Sequence, residues 1–303
     1  MLKRKLVRAG LFGNGLFFII ASVNGTNDQQ PVDPAKNATL DPFVRQLQAF
    51  DSSFIDLNNF PDTVLATAPR IQLSSRTAKF IRDYNAKNNE ALEKIRERGY
   101  RYFPLMDSVF MAYGLPVQLK YLAAVESELK SKSVSRVGAV GPWQLMPSTA
   151  RDLSLKIKGR YDERNNYSKS TVAAAKYLRD LYHQFGDWLL VIAAYNSGPG
   201  KVMWAMKMSG SRNFWKLQSF LPAETRGHVK RFIATHYFFE TCGGITTLTK
   251  AETVAYKKVV NEFITKQKVA LAKVQLSKSE IVKTDIMNPA SEEKNSESNS
   301  SNK

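Results

Sequence analysis

Cysteine is almost missing from this chain. Its 303 residues include a single one, Cys242, so no disulfide can form within the chain and stability must come from packing. Histidine is also scarce: His183, His228 and His236 lack metal-ligand spacing, nothing resembles H-E-x-x-H, and no metal is expected. No G-x-x-x-x-G-K-[ST] loop or Rossmann fingerprint is present, which argues against a nucleotide enzyme, and no cofactor is expected. Strand signals are nearly absent. Acidic residues are few, 27 Asp+Glu against 44 Lys+Arg, for a formal charge of +17. That excess implies an acidic partner such as nucleic acid, an anionic membrane surface or an anionic polymer, and charge alone does not choose among them.

What is present divides along the chain. Lys3, Arg4, Lys5 and Arg8 precede the apolar run Leu11–Val23, which falls short of the ~20 residues a membrane span needs. Residues 1–25 therefore read as an export signal, with an uncleaved anchor as the alternative because no clean A-x-A site follows. No cysteine ends the run, which argues against lipid anchoring. Residues 26–60 are rich in Asn, Asp, Gln and Pro, and residues 26–74 read as a linker or N-terminal segment.

Helical patterns dominate from there to residue 243. Phe80, Ile81, Tyr84, Leu92 and Ile95 form an interrupted stripe that should stop at Gly99, and a second segment should stop at Gly114. Further helices should start at Pro116, at Ser148 as N-cap, near Ser170 and after Asp187, with stops at Gly186 and at the Ser197–Gly200 turn. The fold class expected for 75–243 is all-α. Residues 244–303 read as a basic tail, helical and solvated at first and disordered at its polar end.

Three stretches carry candidate chemistry. If residues 119–129 are helical, Leu119, Leu122, Ala123 and Glu126 share one arc while Glu128 lies opposite. A carboxylate on an apolar face is costly unless protonated or paired, and desolvation suits it to general acid work. Taken alone, such a residue is more often a Glu salt-bridged within the core, or the sign of a misplaced helix register. The loop that follows has Gly138 and Gly141 for tight turns, then Pro142, Trp143, Gln144, Leu145 and Met146. Apolar bulk beside one amide fits a sugar, although Trp143 and Met146 fit a core as readily. Last, Tyr195 and Asn196 end an apolar helix at Gly198, placed to line a cleft.

The pattern E-S-x(7)-S-x-x-G-A-x-G-x-W-Q-x-M-P-x-T-A, then Asp162-Glu163-Arg164, A-A-Y-N-x-G-P-G and P-x-E-T, resembles the soluble lytic transglycosylase family. Order and spacing are most similar to its membrane-bound murein transglycosylase D branch, from about Leu115 to Tyr237. The resemblance implies a lysozyme-like helical domain with Glu126 as the catalytic acid/base. It implies substrate contacts from Ser135, Gln144, Met146, Ala194, Tyr195, Asn196 and Glu224. The departures are Pro142 where Leu is common, KSKSVS in place of Asn-Pro, and His228 where an aromatic often follows E-T-R.

The implied reaction cuts the MurNAc–GlcNAc bond of peptidoglycan and leaves a 1,6-anhydro end, in an exported protein of the periplasm or cell envelope. The partner is then the glycan strand rather than nucleic acid. Peripheral membrane association would run through the basic tail or an uncleaved signal. The rivals are a hydrolytic muramidase or chitinase using Asp162 or Glu163 to activate water, and a non-catalytic wall-binding protein.

Overall fold

The computed structural model describes residues 69, 71 and 73–287. All of them belong to the second of the two units into which the chain divides, Thr39–Lys303. The expected export signal, nearly all of the linker and the polar end of the tail lie outside the described residues.

Among the described residues there are ten α-helices: α1 (Ser75–Lys87), α2 (Asn89–Ala112), α3 (Tyr121–Ser127), α4 (Pro147–Asp152), α5 (Tyr167–Phe185), α6 (Trp188–Ser197), α7 (Pro199–Ser209), α8 (Phe214–Leu217), α9 (Ala223–Glu240) and α10 (Lys250–Met287). Two two-residue strands, β1 (Ile157–Lys158) and β2 (Tyr161–Asp162), pair antiparallel. The all-α expectation holds, and no described helix is long and apolar enough to cross a membrane.

The first boundary differs from the expectation. The chain breaks at Asn88, whose backbone N–H and side-chain amide both donate to Tyr84 O and close α1. It then runs unbroken through Gly99 and Pro104. Gly99 is a packing device there, not a stop: a Cβ would lie 2.3 Å from the Phe103 ring, which folds back over the vacant position. Similarly, α4 begins at Pro147 with Met146 as its cap, so Ser148 lies inside the first turn. A proline at the first helical position gives up no hydrogen bond. α5 starts three residues before Ser170, where Asn166 accepts from Lys169 N.

Other boundaries match. Gly186 ends α5 in the left-handed region, and Asp187 caps α6 by accepting from Leu189 N and Leu190 N. Trp188 to Ala194 are all buried, so α6 is the central helix, packed by α5, α7 and α9. A helix apolar on every side belongs in the interior. α9 crosses α1, α3 and α6, and this brings α3 and α9 together at the site below.

Beyond residue 243 the chain still feeds the core. Ile245 and Leu248 are buried, and Tyr256, Val260 and Ile264 form a buried i, i+4, i+8 stripe on α10. The solvated character expected of this segment applies to its other faces.

Candidate functional site

Glu126 lies on the short helix α3, entered from Pro116 through a 3-10 turn at Val117–Lys120. Leu119, Leu122 and Ala123 are fully buried, and the Glu126 side chain is 15% exposed on the same face. Glu128 points away, ion-paired with Lys130 and Arg98. The helix stops because Glu128 and Leu129 both adopt positive φ, which turns the chain into the loop over residues 130–146.

That loop is tightly tied. Val134 bridges Val140, and Val140 bridges Leu145. Gly141 has φ +85°, and a Cβ there would fall 1.9 Å from Arg164 O, so only glycine fits. The Arg164 guanidinium holds both Asp162 oxygens and donates Nη1 to Gly138 O and Leu145 O, each at 2.9 Å. A buried fork satisfied on every side fixes the shape of the loop.

The expected site residues divide into two groups. The first, on α3 and at the end of α6, comprises Glu126, Tyr195 and Asn196. Tyr195 donates to Trp143 O at 2.7 Å; burial, and after it the Glu126 charge, pushes its phenol well above the usual range. It thus stays a donor and bridges α6 to the loop. Asn196 Oδ1 accepts from Thr225 Oγ1 at 2.9 Å, tying the end of α6 to the start of α9. Ala194 is fully buried beneath them.

The others line the loop or its rim. Ser135 Oγ accepts from Ala139 N, and Gln144 Nε2 donates to Gly141 O and Ser133 O, so both brace the loop from within. Met146 is 39% exposed and Glu224 is exposed in the first turn of α9. Trp143 is fully buried against Phe110 and donates to Thr171 Oγ1, a core residue rather than an exposed sugar platform.

His228 is the residue that sequence reasoning did not place. It projects from α9 with Nε2 2.9 Å from Glu126 Oε1 and is 2% exposed. Its Nδ1 is buried without a hydrogen-bond partner. The available signal was its spacing: Thr225, His228 and Phe232 form an i, i+3, i+7 inner face, and all three are buried.

The two alternative carboxylates are engaged elsewhere. Asp162 is consumed by Arg164. Glu163 accepts from Lys169 Nζ, Lys156 N and Tyr161 OH; the lysine, more than the other two, holds its carboxyl down to about 2. Among the described residues no group of three or more His, Cys, Asp or Glu is placed to hold a metal ion.

The family model described as transglycosylase SLT domain matches residues 111–218. The membrane-bound lytic murein transglycosylase D of Escherichia coli K12 is 37% identical over 153 residues, covering 49% of this chain and 33% of that protein. The soluble lytic murein transglycosylase of the same strain is 32% identical over 154 residues, covering 45% of this chain and 23% of that protein. The chain thus spans a third or less of the length of these two relatives. The crystal structure of the 70-kDa soluble lytic transglycosylase from Escherichia coli aligns over 63% of this chain and 33% of that one, at 24% identity and TM-score 0.43. Residues 111–218, which hold Glu126, the glycine loop and Tyr195, are the part of this chain that the transglycosylase SLT domain model matches.

Proposed function

We propose that this chain is an exported lytic transglycosylase that cleaves the MurNAc–GlcNAc β-1,4 bond of peptidoglycan and forms 1,6-anhydro-MurNAc, with Glu126 as the single acid/base. The observation that carries the proposal is the solitude of Glu126. It is the one carboxylate on the inner face of α3, with His228 and Tyr195 around it, while Asp162 and Glu163 are tied into ion pairs. Ordinary glycosidases need two carboxylates across the scissile bond. With Asp162 and Glu163 engaged and Glu224 exposed in the first turn of α9, this reading takes the nucleophile from the substrate itself.

The steps follow. Protonated Glu126 gives its proton to the glycosidic oxygen as the C1–O bond breaks. The 2-acetamido group of the same MurNAc shares the positive charge at C1. The Glu126 carboxylate then takes the proton from the C6 hydroxyl, whose oxygen closes on C1 and forms the anhydro ring. Glu126 ends protonated, as it began. Intramolecular attack gains from proximity, and a covered site keeps water from competing. Tyr195 and Arg164 do no proton transfer; they hold the loop that carries Gln144 and Met146 to the strand.

Digestion of purified sacculi tests this by product mass. Anhydro ends, one water lighter than reducing ends, are expected. Reducing ends alone would establish the hydrolytic rival. Intact sacculi that still bind the protein would establish the non-catalytic one.

A further inference from the structure

A second cavity lies on the far side of α9. It encloses about 780 Å³ between α1, α8, α9 and the segment entering α10. Arg226, Lys230 and Ile233 of α9 face it. At about 100° per residue, His228 projects from the opposite side of the same helix. The cavity is therefore separate from the Glu126 centre.

Its lining is apolar and cationic together. Phe80, Ile81, Trp215, Ile233 and Leu248 supply the walls. Arg76, Arg226 and Lys230 supply three positive charges against one carboxylate, Glu252. That carboxylate is already spent on Thr249, whose N and Oγ1 both donate to it. Arg226 gives one N–H to Leu221 O, and no ion pair among the described residues includes Arg76 or Lys230. Unneutralised cations lining a concave, partly apolar wall focus a field that draws an anion, and guanidinium groups grip carboxylates in bidentate fashion. The volume falls within the range that small ligands fill.

We propose that this cavity binds the carboxylate-bearing stem peptide of the murein strand, outside the catalytic groove. The assignment rests on the function proposed above, because the glycan strand carries these anionic peptides. Carboxylates meet Arg76, Arg226 and Lys230, while the apolar side chains of the peptide lie on Trp215 and Phe80. A protein so equipped holds the wall by its peptides while Glu126 acts on its sugars.

Titration calorimetry with a free stem tetrapeptide, lacking sugar, tests the assignment on the full chain. Binding should be equal in the unsubstituted protein and in Glu126→Gln. It should weaken about tenfold or more when Arg76→Glu and Lys230→Glu remove two of the cations. Arg76→Glu alone, at an exposed position, serves if the double variant unfolds. No binding, or binding indifferent to these substitutions, overturns the proposal. Displacement by equimolar inorganic phosphate also overturns it, marking a general anion site. Sacculus cutting by the unsubstituted protein separates the two claims. Anhydro products from an unsubstituted protein that does not bind the free peptide sink only the cavity assignment, whereas absent cutting by the unsubstituted protein sinks the catalytic reading itself.

Discussion

Glu126 and His228, 102 residues apart in the chain, meet with Oε1 and Nε2 at 2.9 Å, their side chains 15% and 2% exposed. The pairing joins α3 to α9 and fixes the direction of the carboxylate that the proposed mechanism uses. His228 is a positioning residue, since it reaches the reaction only through Glu126. His228→Phe keeps a ring at this position and deletes the contact. A hydrogen bond to a charged group contributes about 1.5–3 kcal/mol, so kcat should fall roughly tenfold to a hundredfold with KM little changed. Steady-state kinetics on soluble glycan strands read the split. An equal change in KM with kcat preserved would place His228 in binding instead.

The glycine loop depends on a fork that cannot be shortened. Arg164→Lys loses the bidentate grip on Asp162 and at least one of the carbonyls of Gly138 and Leu145. Breaking a buried pair typically costs about 3–5 kcal/mol when one charge is left alone; the lysine keeps a charge, so the lower end is expected. Gly141→Ala should cost a similar amount, because its Cβ would overlap Arg164 O and its backbone would be strained. Urea unfolding reads both. Losses under about 1 kcal/mol would mean that the loop yields more readily than its bonding implies.

Acid stability should carry the signature of His236. Its imidazole is 1% exposed between Tyr121 and Thr246, and burial, followed by the Lys120 charge, lowers its pKa from 6.5 to about 3. The unfolded chain takes up a proton near 6.5 that the folded chain refuses until about 3, so stability is lost as pH falls across that window. His236→Phe keeps a ring and removes the titration. Its unfolding midpoint should fall less steeply than that of the parent between those two values. Parallel curves would show that the folded protein accommodates the charged imidazole.

Much of this architecture was legible because it is local. Gly186 and Asp187 announce the α5–α6 junction through backbone and capping preferences that act within three residues, and Glu126 shares its face with Leu119, Leu122 and Ala123 through helical spacing alone. What was not legible depends on partners distant in the chain. Gly99 and Pro104 punctuate helices in isolation, yet α2 continues through both because the Phe103 ring occupies the space the glycine leaves. The Asp162-Glu163-Arg164 triplet offered two candidate carboxylates; only the fold shows Arg164 turned toward Gly138 and Leu145 and Glu163 toward Lys169. His228 looked like a departure from a pattern until α9 was laid across α3.

The most direct test of the central claim compares the unsubstituted protein with Glu126→Gln on purified sacculi by mass spectrometry of the released fragments. A positioned general acid contributes about 10²–10⁴ in rate, and in the proposed mechanism the same group also serves as base, so anhydro-muropeptides should fall at least that far while strand binding persists. Release of anhydro-muropeptides at an undiminished rate by Glu126→Gln would contradict the account, because the proton would then be coming from elsewhere.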